Sequence, residues 1–444
     1  MTIHLKDFIH YVTELNQNQP EFIQSVSNFS EDVIPFINEQ YPNFEKLKIL
    51  ERLIEPERII IFKITWMDDL NNIQINRGYR VQMSSIIGPY KGGLRFSPTV
   101  NLSVLKFLAF EQIFKNALTG ISLGAAKGGS DFNPKNKTDN EIMRFCQSFM
   151  NELYRHIGSQ TDIPAGDMGV GQREIGYLFG QYKKLRNQFS GVITGKGKAW
   201  GGSNIRPEAT GYGLLYFVEL IYKEQNSTLK NKIITISGAG NVAYYAAEKA
   251  IQLGAKVVSL SNSKGTLYDP EGLDSNKLKR IAALGKDIDE FPLHYSSAQF
   301  LTKQKPWSIP CDIALPCATE NEITEKDALN LVANGCKCVA EGANMPSTRE
   351  AFKVFINAGI NYAPGKAANA GGVVVSGLEM SQNATGLRWT NDNVDDKLKG
   401  IMESIYKTCT KYGTEKGGYI NYLKGANIGG FIKVAQAMQA QGIV

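Results

Sequence analysis

A chain of 444 residues is long enough for two or three domains of about 150 residues each. Its 43% apolar and 21% charged residues are ordinary globular usage, which excludes wholesale disorder. Forty-nine Lys and Arg against 43 Asp and Glu leave a net charge of only +6, too diffuse for a nucleic-acid binder and better suited to small anionic ligands.

The N-terminal MTIHLKDFIHYVTEL reads as a polar amphipathic helix without the features of a signal peptide, and helices are expected throughout residues 1–55. The pattern then turns β-branched and aromatic in Arg58–Trp66 and Ile75–Ser85, with an Asp/Asn-rich turn between, which predicts two paired strands. Val100–Leu118 and Thr138–Gly158 return to helical spacing. The second opens on a capping box, Thr138-x-x-Glu141, and its apolar face is Ile142, Phe145, Cys146, Phe149 and Leu153. Gly191–Ser203 reads as a loop between halves. Its GKGK resembles a phosphate loop only superficially, because the spacing of GxxxxGK[ST] fails, so an ATPase is excluded. Pro207 is placed to open a helix that runs to about Tyr222.

From residue 232 strands and helices alternate. Lys232–Ile236, Lys256–Ser261, Asp312–Leu315 and Lys337–Ala340 are short apolar runs typical of a parallel sheet covered on both faces. The fold class expected is therefore α/β with two domains: a mixed-sheet substrate and oligomerisation domain, and a doubly wound Rossmann-type dinucleotide domain across a cleft. The boundaries expected are 1–202 plus a C-terminal helix at about 425–444 for the first, and 203–424 for the second. No run of about 18 apolar residues occurs, so no membrane span is expected. The six cysteines form no CxxC, and the four histidines have no metal spacing; free thiols, a cytoplasmic location and no metal are expected.

The clearest chemical motif is Ser237–Ala243, a G-x-G-x-x-A between a strand and a helix. Gly238 permits the tight turn, Gly240 lets the backbone approach a pyrophosphate, and Ala243 lets the helix pack close. An NAD site normally carries an acid about 20 residues beyond the glycines. Here no acid occurs between Glu248 and Asp269, and the second strand ends Ser261-Asn262-Ser263-Lys264. A 2′-phosphate would meet hydroxyls, an amide and a cation there, with no like charge, so NADP is favoured.

The first half concentrates lysine beside glycine. PYKGGLRF carries Lys91, and AAKGGSD carries Lys127; both read as loops able to approach a small ligand. Gln112 and Lys115 share one helix face in FEQIFK. Three converging ammoniums would suit a dicarboxylate and depress one another's pKa. Asp167, between two glycines in PAGDMG, places a carboxylate nearby.

These motifs, with RPEATGYG, DIALPCATENE, VAEGANMPST and APGKAANAGGVVVSGLEMSQN, carry a resemblance over essentially the whole chain. The chain resembles the hexameric NADP-specific glutamate dehydrogenases of bacteria and lower eukaryotes. The resemblance implies reversible oxidative deamination of L-glutamate to 2-oxoglutarate and ammonia, run reductively in the cell to assimilate ammonium. It implies Lys127 as the lysine that activates water and Asp167 as the proton shuttle. Lys115 and Gln112 would hold the α-carboxylate beside the Gly166 backbone, and Lys91 and Ser376 the side-chain carboxylate. Thr210, Asn344 and Asn369 would join Gly238, Gly240, Asn241 and Val242 at the cofactor, with Ser261, Asn262 and Lys264 toward the 2′-phosphate. Relatives acting on apolar amino acids lack the lysine at position 91; the open alternatives are a dehydrogenase of different side-chain specificity and a non-catalytic dinucleotide sensor. Two departures stand out: Ala125 interrupts a glycine run, and Asn262 replaces a more usual Asp. The chain lacks room for the antenna of the animal enzymes, so purine-nucleotide regulation is not expected.

Overall fold

The computed structural model describes residues 2–285 and 287–443. They form two compact units, one of Met1–Arg206, Ser376–Val394 and Asn427–Val444, the other of Pro207–Val375 and Asp395–Ala426. The sequence reading puts residues 376–394 with the second half. They sit in the first unit instead, where Ser376 and Glu379 bond to the 194–196 segment.

The first unit opens with helices α1 (Leu5–Leu15), α2 (Pro20–Gln40), α3 (Asn43–Lys46) and α4 (Ile49–Ile54). A hairpin of β1 (Arg58–Met67) and β2 (Ile73–Ser84) follows, its turn held by the Asp68 carboxylate, which accepts from the amides of Leu70 and Asn72 at 2.9 and 2.8 Å. Then come β3 (Tyr90–Phe96), α5 (Leu102–Leu118), β4 (Ala125–Ser130), α6 (Asp139–Leu153), β5 (Asp162–Gly166) and α7 (Gln172–Arg186). The sheet order is β1-β2-β4-β3-β5, antiparallel from β1 to β4 and parallel across β4, β3 and β5. The capping box at α6 forms as expected, with Thr138 and Glu141 each bonding the other's backbone amide. Behind the sheet, Leu94, Phe96, Phe132, Phe145 and Phe149 make one buried cluster, which ties α6 to β3. Phe132 stacks on Phe145 at 3.7 Å, with Phe96 edge-on to both.

The second unit starts with α8 (Ala209–Glu224), two residues beyond Pro207. Around its sheet run β6 (Ile233–Ile236), α9 (Asn241–Gln252), β7 (Lys256–Asn262), β8 (Gly265–Tyr268), α10 (Ser275–Leu284), β9 (Gln299–Thr302) and β10 (Ile313–Leu315). After them come α11 (Glu325–Ala333), β11 (Cys338–Ala340), α12 (Arg349–Asn357), β12 (Asn361–Ala363) and α13 (Gly365–Ala368). The order β12-β11-β10-β6-β7-β8-β9 is parallel from β12 to β7, with β8 and β9 added antiparallel at the edge. The four apolar runs read as parallel strands are all present. Strand order reverses between β6 and β10, the position where doubly wound sheets bind ligands. Helices α14 (Gly371–Thr385), α15 (Asn391–Gly413) and α16 (Tyr422–Gln441) complete the chain. All six cysteines are buried and free. Among the described residues no helix is long and apolar enough to cross a membrane, and no cluster of His, Cys, Asp and Glu is fit to hold a metal.

Candidate active site

In the first unit the site is built by the pleat of three neighbouring strands. Successive strand residues point to opposite faces, and the register pairs Arg95 of β3 with Gly129 of β4 and Gly93 with Ala165 of β5. That places Lys91, Gly93 and Arg95 on the same face as Lys127, while Leu94 and Phe96 point the other way into the aromatic cluster. Lys91 and Lys127 are therefore strand residues, where the sequence reading has them in loops. The glycines between them serve strand contact rather than loop flexibility: a Cβ on Gly92 would lie 1.7 Å from the Ala126 carbonyl oxygen, and one on Gly129 would lie 2.0 Å from that of Arg95. No larger residue permits these strands to approach so closely.

Just past the end of β5, the Asp167 carboxylate meets the Lys127 ammonium at 2.8 Å and the Arg95 guanidinium at 3.6 Å. Lys127 is only 6% exposed. Burial works against ionising Asp167, but the Lys127 and Arg95 cations outweigh it and hold the carboxyl well below its ordinary range. Helix α5 supplies Gln112 and Lys115, whose electrostatic neighbours include Lys127 and Asp167. Its Asn116 fixes the helix to the sheet by donating to the backbone carbonyls of Lys91 and Gly124. Burial first, and the Lys127 charge second, lower Lys115 to about 7. Mutual repulsion among lysines is thus the smaller cause at Lys115, where desolvation dominates.

Lys91 is 2% exposed, and burial together with the Arg80 cation pushes its ammonium well below the ordinary value. It donates to the Thr194 hydroxyl at 2.8 Å, and that hydroxyl lies 2.5 Å from the Ser376 hydroxyl. A buried ammonium with only a neutral oxygen as partner is costly, and an incoming carboxylate relieves the cost. The structure thus gathers Lys91, Gln112, Lys115, Lys127, Gly166, Asp167 and Ser376 in one unit.

The dinucleotide motif lies in the second unit, and its backbone fits such a group. Gly238 follows β6 with φ at +85°, a left-handed turn, and its N–H donates to the Ser261 hydroxyl on β7 at 2.9 Å. Gly240 caps α9, and a Cβ there would meet nothing within 4 Å, so the helix N-terminus is open to a phosphate. Asn241 and Val242 begin α9. Thr210 lies in the first turn of α8, whose Gly211 lies against the backbone of α9. Asn369 joins the same unit by donating to the Asn344 side-chain oxygen at 3.1 Å and to the Ala343 carbonyl at 3.0 Å. Buried Glu341 anchors that loop, accepting from the Gly365 amide at 2.8 Å and from the Tyr362 hydroxyl at 2.5 Å.

One expectation fails here. Lys264 does not face a region free of like charge: its ammonium bonds Asp287 at 3.1 Å and Asp289 at 2.9 Å. The acid-free stretch in sequence says nothing of carboxylates that the fold returns from 23 and 25 residues away. The Asn262 side-chain oxygen accepts from the amides of Lys264 and Gly265, closing the β7–β8 turn.

Residues 201–442 match the family of glutamate/leucine/phenylalanine/valine dehydrogenases, and residues 56–184 match its dimerisation domain. The chain belongs to the Glu/Leu/Phe/Val dehydrogenase family. An NADP-specific glutamate dehydrogenase of Escherichia coli is 53% identical over 446 residues, covering 100% of this chain and 99% of that protein. An NAD-specific glutamate dehydrogenase of Bacteroides fragilis is 54% identical over 96% of each. The crystal structure of Plasmodium falciparum glutamate dehydrogenase superposes with a TM-score of 0.96 at 50% identity, covering 99% of this chain and 95% of that one.

Within this dehydrogenase, sequence reasoning overlooked three structural partners of the site. Thr194, which joins Lys91 to Ser376, had no signal in a glycine-rich loop. Arg95 had one, since it stands four residues after Lys91 in the same PYKGGLRF motif. The third is a fully buried ion pair, Lys196 with Glu379 at 2.9 Å, whose carboxylate also accepts from the Gly195 amide. It holds the loop on which Thr194 sits.

Proposed function

We infer that the chain catalyses the reversible oxidative deamination of L-glutamate to 2-oxoglutarate and ammonia with NADP(H). The observation that carries the chemistry is the Lys127–Asp167 contact at 2.8 Å, with Lys115 among its electrostatic neighbours and the Lys91–Thr194–Ser376 hydrogen-bond chain in the same unit. A substrate with carboxylates at both ends suits this pattern. Lys115 with Gln112 binds the α-carboxylate beside the Gly166 backbone, and Lys91 with Ser376 binds the side-chain carboxylate. An apolar side chain would leave the Lys91 ammonium buried and unrelieved, which selects against branched and aromatic amino acids.

When bound, NADP supplies the hydride acceptor for the α-carbon, and NADPH returns the hydride in reverse. The Gly238–Val242 turn, Thr210, Asn344 and Asn369 hold it, with Ser261, Asn262 and Lys264 near the ribose of the adenosine. The protein's own task is the carbon–nitrogen bond. Lys127 in its neutral amine form takes a proton from water as the water oxygen adds to the imine carbon. Asp167, a carboxylate at rest and within hydrogen-bond reach of Lys127, accepts that proton from Lys127 and passes it to the departing nitrogen, so that ammonia leaves and Asp167 is again ionised. Burial of Lys127 and the partial burial of Asp167 limit competition from bulk water for those protons.

The reductive direction, assimilating ammonium, a cytoplasmic location and a homohexamer complete the reading. The exposed hairpin β1–β2 supports self-association, as does the match to a dimerisation domain. The test is NADPH consumption with 2-oxoglutarate and ammonium, run beside NADH. Lys127→Ala is expected to lower kcat by at least about a thousandfold while NADPH fluorescence still reports binding. Near-normal turnover in that variant overturns the assignment.

A further inference from the structure

The β7–β8 turn and the segment leaving β9 border an open concavity lined by Ser263, Lys264, Asp289, Phe300, Thr302 and Lys303. It begins one residue beyond Asn262, at the carboxyl end of the strand where a Rossmann domain reads the adenosine ribose. Two described cations line it, in different electrostatic states. Lys264 is clamped by Asp287 and by both oxygens of Asp289, at 2.9–3.1 Å. Two carboxylates around one ammonium leave that cluster negative, so by itself it repels a phosphate.

Lys303 differs. Its backbone N–H donates to the Lys264 carbonyl at 2.8 Å, which fixes it beside the cluster, and its φ of +58° puts a lysine in the left-handed region. No carboxylate of the described residues pairs with its ammonium. The sequence scan for a 2′-phosphate site stops at Lys264 and misses it, because Lys303 lies on a different strand connection.

Resting on the NADP(H) reading above, we propose that Lys303 is the residue that selects the 2′-phosphate, and that Asp289 opposes it by neutralising Lys264. Cofactor preference is then a balance of charges around one concavity rather than the consequence of a missing acid. A phosphate of nearly two negative charges responds steeply to a single ammonium, and the response weakens with salt because the groups are exposed.

The test is calorimetric titration of the full-length protein with 2′,5′-ADP and with 5′-AMP, which differ only by the 2′-phosphate, beside the KM for NADPH and NADH. Lys303→Ala is expected to weaken 2′,5′-ADP about tenfold and leave 5′-AMP unchanged; Asp289→Asn is expected to tighten 2′,5′-ADP several-fold. Retained discrimination in Lys303→Ala overturns the role of Lys303 while leaving NADP as the cofactor. Weaker 2′,5′-ADP binding in Asp289→Asn overturns the opposing role. A native protein that binds the two nucleotides equally overturns the NADP reading itself, and the proposal with it.

Discussion

At the scale of single residues, the lysines proposed to bind substrate are titratable groups that their ligand would have to recharge. Lys115 is lowered to about 7, chiefly by burial. Below pH 7 its ammonium form predominates and can pair with the α-carboxylate. Above that, the empty site loses the proton, and a binding carboxylate has to bring one back. Affinity for 2-oxoglutarate therefore falls as pH rises above about 7, approaching tenfold per pH unit, and binding takes up protons. Calorimetry in two buffers of different ionisation enthalpy at about pH 8 reads that uptake directly. Lys115→Arg, which stays charged, is expected to reduce it. Proton release on binding would contradict the assignment of Lys115 as a carboxylate ligand. Asp167 behaves oppositely, since its neighbouring cations keep it ionised throughout this range.

At the scale of elements, the sheet of the first unit is held together by absent side chains. Gly92 pairs with Pro164 of β5, while its α-hydrogens face the Ala126 carbonyl of β4. Gly92→Ala drives a methyl into a backbone oxygen that cannot move without parting β3 from β4. Overpacking of this kind costs about 1–3 kcal/mol where side chains yield, and a backbone obstacle puts Gly92→Ala at the upper end. A thermal unfolding scan is expected to show a fall of several degrees, together with loss of activity, because Lys91 and Lys127 ride on the two strands that separate. An unchanged melting temperature would mean that the strands have slack. The same feature explains what the sequence did and did not reveal. Long periodic elements such as α6, with its capping box, and the β1–β2 pair were legible, because pattern and local capping agree there. Strands β3, β4 and β5 were not, since YKGGLRF, AAKGGS and DIPAG lack the β-branched runs that announce a strand. Their glycines are there for inter-strand contact, which no single-sequence pattern encodes. The antiparallel β8 and β9 were missed because GTLY and QFLT lack the continuous apolar run that marks β6, β10 and β11. In the site, residues fixed by motif were legible. Thr194 and the Asp287–Asp289 pair were not, because long-range folding alone brings them to their partners.

At the scale of the whole molecule, the hairpin β1–β2 lies at the sheet edge and exposes one apolar face. Pairing of Thr65 with Ile75 and Met67 with Ile73 puts these residues on the same side as Ile59 and Ile61. Ile61 is 53% exposed, Ile73 69% and Ile75 68%, values that isolated surface isoleucines seldom reach together. An unprotected edge strand with such a face invites pairing with a second copy, and a twofold contact uses the same patch on both partners. Each isoleucine removed from water contributes about 1.5–3 kcal/mol. A twofold axis doubles that for every position changed, so Ile61→Glu with Ile75→Glu acts at four places in one interface. Light scattering is expected to show the native assembly falling to a smaller species, while far-UV circular dichroism keeps its helical signal. Since Lys91, Lys127 and Asp167 sit on β3, on β4 and just beyond β5 rather than on the hairpin, the smaller species should retain 2-oxoglutarate binding by calorimetry. An unchanged mass would place the self-association surface elsewhere on the first unit, and would leave the exposed isoleucines without a partner.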